Sequence, residues 1–336
     1  MALRISIITP SFNQGNYIEE TILSIINQDY PNLEYFIIDG GSTDQSVEII
    51  KKYSDRLAGW ISEPDKGQSD AINKGLRKAT GDIVTWIGSD DLLNAGSLQR
   101  VSQIFESLPE TVGVIHGNTE LFSGKNFIRI EKGYPNQNPE RRLAGLPFPQ
   151  PSAFVRKKYL DKSGSLSSEY HYGMDYDLFS KLSILCDFQY ADELFSKYRL
   201  HPKSKSHTSM HGFANDWKII FNKIVDGLNL SETKKELEVA DMRSAGTGRS
   251  ENFFAPYQNK VRVDQKLLAY YFLSNILRFD YEGYDFREAK KISAHLRIHH
   301  LNELANDPAI DLVTKRLERY PAFLISAMRK LKRSLT

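Results

Sequence analysis

Over the first 93 residues, short apolar runs alternate with longer stretches whose apolar positions recur at helical spacing. Residues 4–9 (RISIIT), 33–39 (LEYFIID), 59–62 and 83–87 are runs of strand length bounded by turn residues, the mark of buried strands. Between them Ile18, Ile22, Ile25 and Ile26 share one helical face, and Val47, Ile50 and Tyr53 share another. Three pairs spaced three apart, Asn16 with Glu19, Ser42 with Gln45 and Asp65 with Gln68, carry the helix-opening pattern in which each side chain bonds the other's backbone amide. The third helix is expected to reach about Ala79. Strand–loop–helix repeated three times and then a fourth strand predict an α/β fold, a mostly parallel sheet with helices on both faces.

Farther along, Leu98, Val101, Ile104 and Leu108 predict a helix over 97–108. Strands are expected at 112–115 and 126–130, and an irregular loop over 134–151, which holds five prolines. Leu178, Leu182 and Leu185 predict a helix over 175–185, and short strands follow at 188–190 and 194–198. From about His211 the pattern becomes helical, with aromatic-rich stretches at 217–221 and 267–277 and a linker-like RSAGTGRS at 243–250 that is expected to be mobile. This divides the chain into a domain at 1–206 and a helical extension at 207–336. Near the end, Phe323, Leu324, Ile325, Met328 and Leu331 alternate with Arg329, Lys330, Lys332 and Arg333. A basic amphipathic helix of this kind can lie on an anionic membrane surface.

Composition narrows the class. The 336 residues are 40% hydrophobic and 26% charged, enough for one large or two modest globular domains. Basic and acidic residues number 44 and 42, a near balance that gives no bulk field for nucleic acid, so none is expected as a partner. Cys186 is the single cysteine, which excludes a disulfide framework and a cysteine-based zinc site. The N-terminus reads as a strand rather than a signal peptide, and no run of 18 apolar residues occurs. The expectation is a cytoplasmic protein, at most peripheral at the inner membrane face.

Parallel sheets of this type bind ligands beyond the carboxyl ends of their strands, and here each end carries polar residues: Thr9–Ser11, Asp39, Asp65–Lys66 and Asp90–Asp91. A carboxylate pair closing a buried strand is costly to desolvate and needs a partner. A divalent cation with oxygen ligands is such a partner, and it usually holds a phosphate. The dinucleotide fingerprint and the P-loop pattern are both absent after the first strand, which meets Pro10-Ser11-Phe12-Asn13 instead.

The ordered segments TPSFNQGNYIEETILSIINQ (9–28), IIDGGSTDQS (37–46), EPDKGQSDAINKG (63–75), ATGDIVTWIGSDDLL (79–93), GMDYDLFSKL (173–182) and YRLHPKSKS (198–206) resemble the inverting family 2 glycosyltransferases of the GT-A fold. The resemblance covers roughly residues 4–206. It implies transfer of a sugar from a nucleotide-diphosphate donor, UDP-linked by expectation, to a hydroxyl of a glycan or lipid-linked saccharide, in surface polysaccharide biosynthesis. It places nucleotide contacts on Pro10, Ser11, Asp39, Asp65, Lys66 and Asp90. A carboxylate such as Asp39 can accept from a pyrimidine N–H or from ribose hydroxyls. It places a Mn²⁺ or Mg²⁺ ion on Asp90 and Asp91, with His201 as an added metal ligand or a phosphate contact. Many members carry Asp where this chain has Gly88, so Asp90 and Asp91 are expected to share the metal and ribose roles. Lys203 and Lys205 are candidates to screen the diphosphate, and Gln150 to line the acceptor cleft. The catalytic base falls on Asp175; the acid that often precedes it is here Met174. Two other readings stay open: a nucleotidyltransferase forming nucleotide sugars, and a non-catalytic sugar-binding relative, which Gly88 favours.

Overall fold

The computed structural model describes residues 2–135, 138–205, 209–244, 252–258 and 260–334, with side chains in the last helix described through Arg329. Most of the segment expected to be a linker, 245–250, lies outside these residues. The chain divides into two compact units: residues 1–137 with 146–204, and 138–145 with 205–336.

The first unit is built on a nine-stranded sheet. Strands β1 (Ile5–Ser11), β2 (Leu33–Asp39), β3 (Gly59–Ser62) and β4 (Ile83–Trp86) lie parallel in the order β3-β2-β1-β4. Successive residues of β1 bury alternately into two cores. Ile5 and Ile7 pack with Ile18, Ile22 and Ile25 of α1 (Ile18–Ile26), whereas Ile8 packs with Ile72 of α3 (Gln68–Lys78) and with Leu178 and Leu182 of the later helix Met174–Leu185. That double burial is why these strands are apolar throughout rather than alternating. Between α1 and α3, α2 spans Ser46–Lys52.

Past β4 the sheet becomes mixed. A two-residue β5 (Leu92–Leu93) and α4 (Ser97–Ser107) lead to β6 (Val112–Ser123) and its antiparallel hairpin partner β7 (Asn126–Glu131). The proline-rich segment is not wholly irregular: it contains α5 (Pro139–Ala144), opened by the Asn138 side chain, which accepts from the Arg141 amide. Then β8 (Ala153–Arg156) pairs antiparallel with both β4 and β6 and bridges the two halves of the sheet. After α6 (Lys157–Ser163) and α7 (Met174–Leu185), the two short strands expected at 188–198 form one 13-residue strand, β9 (Asp187–Arg199), parallel to β6 and antiparallel to β5.

The three expected capping pairs are corrected. No side-chain cap opens α1, α2 or α3. Several polar side chains near these helix starts instead tie one loop to another. Asn13 Oδ1 accepts from the Thr43 amide at 2.9 Å, Ser42 Oγ accepts from the Asn13 amide at 2.8 Å, Ser46 Oγ from the Gln14 amide at 3.0 Å and Asp44 Oδ2 from the Gly15 amide at 2.9 Å. The β1–α1 and β2–α2 loops are thereby one hydrogen-bonded block.

The second unit is helical: α5, which lies in its 138–145 segment, α8 (Met210–Gly227), α9 (Ser231–Val239), α10 (Gln265–Glu282), α11 (Phe286–His299), α12 (Leu301–Ala305), α13 (Pro308–Arg319) and α14 (Ala322–Ser334). The aromatic-rich stretches are its core, with Phe221 of α8 stacked on Phe272 of α10 at 3.9 Å between centroids. Ile325 of α14 is buried, while Phe323, Leu324 and Met328 are exposed. Among the described residues no helix is long and apolar enough to cross a membrane.

Candidate active site

Strand register builds the first part of the rim. Ser11 pairs with Asp39, and Asp39 pairs with Ser62, so one row of side chains crosses the carboxyl ends of β1, β2 and β3. Asp39 is fully buried. Its Oδ2 accepts from the Gly41 amide (3.1 Å), the Ser42 amide (2.9 Å) and Ser62 Oγ (2.7 Å), and its Oδ1 accepts from Ser42 Oγ at 2.5 Å. The turn requires Gly41, whose φ of +83° lies in the left-handed region. Asp39 is thus held by local donors, with remaining acceptor capacity on Oδ1. The Asp65 carboxylate lies against Gly40, where a Cβ would meet its Oδ2 at 2.6 Å, and its Oδ1 accepts from the Gly67 amide. Lys66 is exposed beside it. Pro10 is buried in β1, opposite Ile38. Ser11 Oγ is buried without a hydrogen-bond partner, a costly state for a hydroxyl that a ligand in this row would relieve.

The second part lies at the end of β4, beside β1. The chain leaves the sheet after the Ile87 amide bonds the Ile8 carbonyl. Gly88 has no side chain, and both acids turn toward it: a Cβ there would meet Asp90 Oδ1 at 2.8 Å and Asp91 Oδ2 at 3.1 Å. Asp91 is buried, and burial first, then repulsion from Asp90, push its carboxyl well above the usual carboxylate range. Opposing this, Asp91 Oδ1 accepts from the Arg199 amide at 3.0 Å, and the Arg199 charge lies nearby. The Arg199 side chain donates through Nε to the Asp90 carbonyl (2.9 Å) and through Nη2 to Glu20 (2.6 Å), between the rings of Tyr17 and Phe122. His201 Nε2 is 2.9 Å from Asp90 Oδ2, and its ring lies 4.8 Å from that of Tyr17. The Lys203 amide approaches His201 Nδ1 at 3.3 Å. That contact favours the tautomer in which Nε2–H donates to Asp90.

The fold therefore brings Asp90, Asp91 and His201 together across more than a hundred residues. Two carboxylate oxygens facing the bare backbone of Gly88 suit a hard divalent cation such as Mn²⁺ or Mg²⁺, while His201 sits on the other oxygen of Asp90, Oδ2. Arg199 and Glu20 were not picked out from the sequence. The only sequence signal for Arg199 is its place in the segment YRLHPKSKS, two residues before His201.

Gln150 opens a short 3-10 turn, and its Nε2 donates to the Trp86 carbonyl at 3.0 Å, two residues before Gly88. Asp175 is the second residue of α7, and its Oδ1 accepts from the Tyr176 amide. The helix start is fixed against α3 by Ser69 Oγ, which donates to Met174 Sδ at 3.0 Å, next to the Asp65–Gly67 loop. Asp177 is buried and paired with Lys181 at 2.6 Å. Lys203 is exposed and Lys205 half-buried; residues 206–208, which complete this segment, lie outside the described residues.

A parallel half-sheet joined to a mixed one, with paired acids at the end of β4, is the architecture of the GT-A fold. Residues 6–164 match the model Glycosyl transferase family 2, so this part of the chain is a family 2 glycosyltransferase domain. An uncharacterized glycosyltransferase of Rickettsia typhi is 25% identical over 218 residues, 62% of this chain and 67% of the relative. One of Haemophilus influenzae is 39% identical over 117 residues, 34% of this chain and less than half, 46%, of that relative's length. Among solved structures, S. aureus TarS 1–349 in complex with UDP-GlcNAc superposes with a TM-score of 0.57 at 20% identity, covering 95% of this chain and 91% of that one. The mannosyltransferase PcManGT from Pyrobaculum calidifontis, in complex with GDP-Man and Mn²⁺, gives 0.52 at 18% identity, covering 98% and 88%.

Proposed function

We propose that the protein transfers a sugar from a UDP-sugar, with inversion, to a hydroxyl of a glycan or lipid-linked saccharide, and that it serves surface polysaccharide biosynthesis. The observation that carries this is the convergence of Asp90 and Asp91 on the bare backbone of Gly88, with His201 beside them. The buried, unpartnered hydroxyl of Ser11 in the Asp39 row supports a nucleotide there. TarS, solved with UDP-GlcNAc, supports a UDP donor, and PcManGT, solved with Mn²⁺, supports a divalent ion.

Asp39 and Ser11 take the nucleoside, Asp65 and Lys66 flank it, and Asp90, Asp91 and His201 hold the cation. A bound Mn²⁺ or Mg²⁺ would stabilise the charge of the departing diphosphate. Displacement with inversion needs no protein nucleophile; it needs one group to take the proton of the acceptor hydroxyl as that oxygen attacks the anomeric carbon. We assign that proton to Asp175, at the N-terminus of α7, where the helix dipole favours the ionised carboxylate. Gln150, with its amide nitrogen tied to the Trp86 carbonyl, presents its oxygen to the acceptor. The exposed apolar face of α14 provides a peripheral contact with an anionic membrane.

A panel of nucleotide sugars, assayed for donor hydrolysis and transfer with and without Mn²⁺, tests this reading. UDP-sugars are expected to turn over, excess EDTA to abolish turnover, and Asp91→Asn to lower it by roughly a hundredfold or more. Full activity in excess EDTA refutes the metal assignment. Release of diphosphate from a nucleoside triphosphate and a sugar phosphate would replace transfer with nucleotide-sugar synthesis.

A further inference from the structure

The helical unit contains a cluster of ligating side chains separate from the residues assigned above to sugar transfer. Glu236 projects from α9, His295 lies near the end of α11, and His300 occupies the corner between α11 and α12. His295 Nε2 lies 3.2 Å from Glu236 Oε1, and His300 Nε2 contacts the same oxygen. These three atoms all fall within 4.8 Å of one another. Both histidines are more than nine-tenths buried, and His300 is fully so.

As a hydrogen-bonded cluster of neutral imidazoles the arrangement leaves a defect. With both Nε2 atoms donating to Glu236, Nδ1 of a neutral His300 is an acceptor. It faces Glu303 Oε2, a second acceptor, at 3.9 Å. Both of these buried atoms lack a hydrogen-bond partner. Two facing orphan acceptors are costly in a protein interior. Coordination removes the defect. An ion bound at Nε2 requires that nitrogen to be unprotonated, so the His300 proton moves to Nδ1, where it is aimed at Glu303. That is the carboxylate–histidine–metal relay by which metal sites orient their imidazoles. The distances agree as well: a tetrahedron with bonds of about 2.0 Å has an edge of about 3.3 Å, close to the His295–Glu236 separation. The tighter His300 contact opens to the same edge when an ion enters.

We propose that Glu236, His295 and His300 form a zinc site, with Glu303 as the positioning residue that accepts from His300 Nδ1–H. Two imidazoles and one carboxylate select a borderline ion such as Zn²⁺ over the hard Mg²⁺. The fourth position is left to water. The ion fastens α9 to the α11–α12 corner, joining elements about sixty residues apart in sequence (His300 and Glu236 differ by 64 positions), and so acts as a staple within the helical unit.

The test uses the full chain, stripped with chelator and titrated with Zn²⁺, and with Co²⁺ as a spectroscopic probe. One Zn²⁺ per chain is expected to survive gel filtration. A hundredfold excess over Kd is expected to raise Tm by roughly 5 °C or more. Co²⁺ is expected to show the visible absorption of a nitrogen–oxygen site. His300→Gln should abolish these signals, and Asp90→Asn, in the sugar-nucleotide domain, should leave them intact. Glu303→Gln keeps all three ligands; it should weaken affinity about 10–100-fold while leaving the metal-free protein at least as stable, because the Gln amide can donate to His300 Nδ1, which keeps the test open if His300→Gln fails to fold. Zinc affinity no tighter than micromolar, zinc lost in Asp90→Asn but kept in His300→Gln, or undiminished affinity in Glu303→Gln overturns the proposal.

Discussion

Arg199 offers the sharpest energetic test of how the acidic site is held. Its side chain is 7% exposed, so removing it strips contacts that water cannot replace. Arg199→Met keeps the apolar stem and loses the guanidinium. The charged hydrogen bond to the Asp90 carbonyl is worth about 1.5–3 kcal/mol, the contacts with the Tyr17 and Phe122 rings about 0.5–1 kcal/mol each, and the pair with the exposed Glu20 under about 1 kcal/mol. The backbone amide of residue 199 still donates to Asp91. Because these terms share one side chain and do not simply add, the expected loss of folding stability is about 2–4 kcal/mol. The loss has a functional side. Asp91 is already pushed up by burial and by Asp90, and deleting the nearest cation favours its neutral form further, so Mn²⁺-dependent UDP binding should weaken as well. Arg199→Lys separates the two effects: it restores charge near Asp91 but not the planar fork that reaches Asp90 and Glu20 together. It should recover metal-dependent binding better than stability. Urea unfolding and calorimetric UDP titration, with and without Mn²⁺, measure both. An Arg199→Met protein within about 0.5 kcal/mol of wild type and unchanged in UDP affinity refutes the account.

Three further outcomes are expected. Asp175 lies inside the first turn of α7 rather than at its cap, and Asn matches its shape and can still accept from the Tyr176 amide, so Asp175→Asn should keep Tm and donor affinity and lose turnover by roughly a hundredfold to ten-thousandfold; turnover within a few-fold of wild type removes it from the mechanism. In α10, burial raises the Asp280 carboxyl from 3.8 to about 6, helped by Asp285 and Glu288 against Lys218 and His211. The unfolded chain ionises first, so the protein loses stability as pH rises from about 4 to 6, and Asp280→Asn should stabilise by about 2–3 kcal/mol above pH 6 and by nothing below pH 4; equal pH profiles for both proteins, by thermal unfolding, contradict this. The double variant Phe323→Ser with Leu324→Ser should lower sedimentation with anionic vesicles and leave Tm unchanged, because both side chains are exposed; unaltered sedimentation removes α14 from membrane contact.

The parallel half of the sheet was legible because β1, β4 and most of β2 are buried on both faces and the helices on one, so local patterns carry the answer; only the edge strand β3 is half-exposed. In the mixed half β6, β7 and the course of β9 were legible, but β8 and β5 were not. Ala153–Arg156 is a four-residue strand emerging from a proline-rich stretch, and Leu92–Leu93 pairs through two residues only; neither has the length to register as a period. Along β9 burial changes without strict alternation, which made one strand look like two. Capping was misread for a different reason: Ser42 and its neighbours have the right chemistry for helix ends, but their partners lie on another loop, and sequence spacing carries no information about that. The acids Asp90 and Asp91 stood out as a pair at a strand end, and His201 through its surrounding segment. Arg199 was hidden by its own type, since arginine is rarely a buried residue unless paired.

The pairing of β9 with this rim also governs when the site comes into being. Asp91 meets Arg199 across 108 residues, and Asp90 meets His201 across 111. Closing a loop of that length costs about 4 kcal/mol of chain entropy beyond a constant term, and no contact inside the first 93 residues offsets it. The β1–β4 half can condense from neighbouring units as it leaves the ribosome, while its two acids stay without their cationic partner until residue 201 has been made and β9 has lain down beside β6. Maturation of the acidic site is therefore a late step of folding, and its rate should follow the docking of β9 rather than the collapse of the parallel strands.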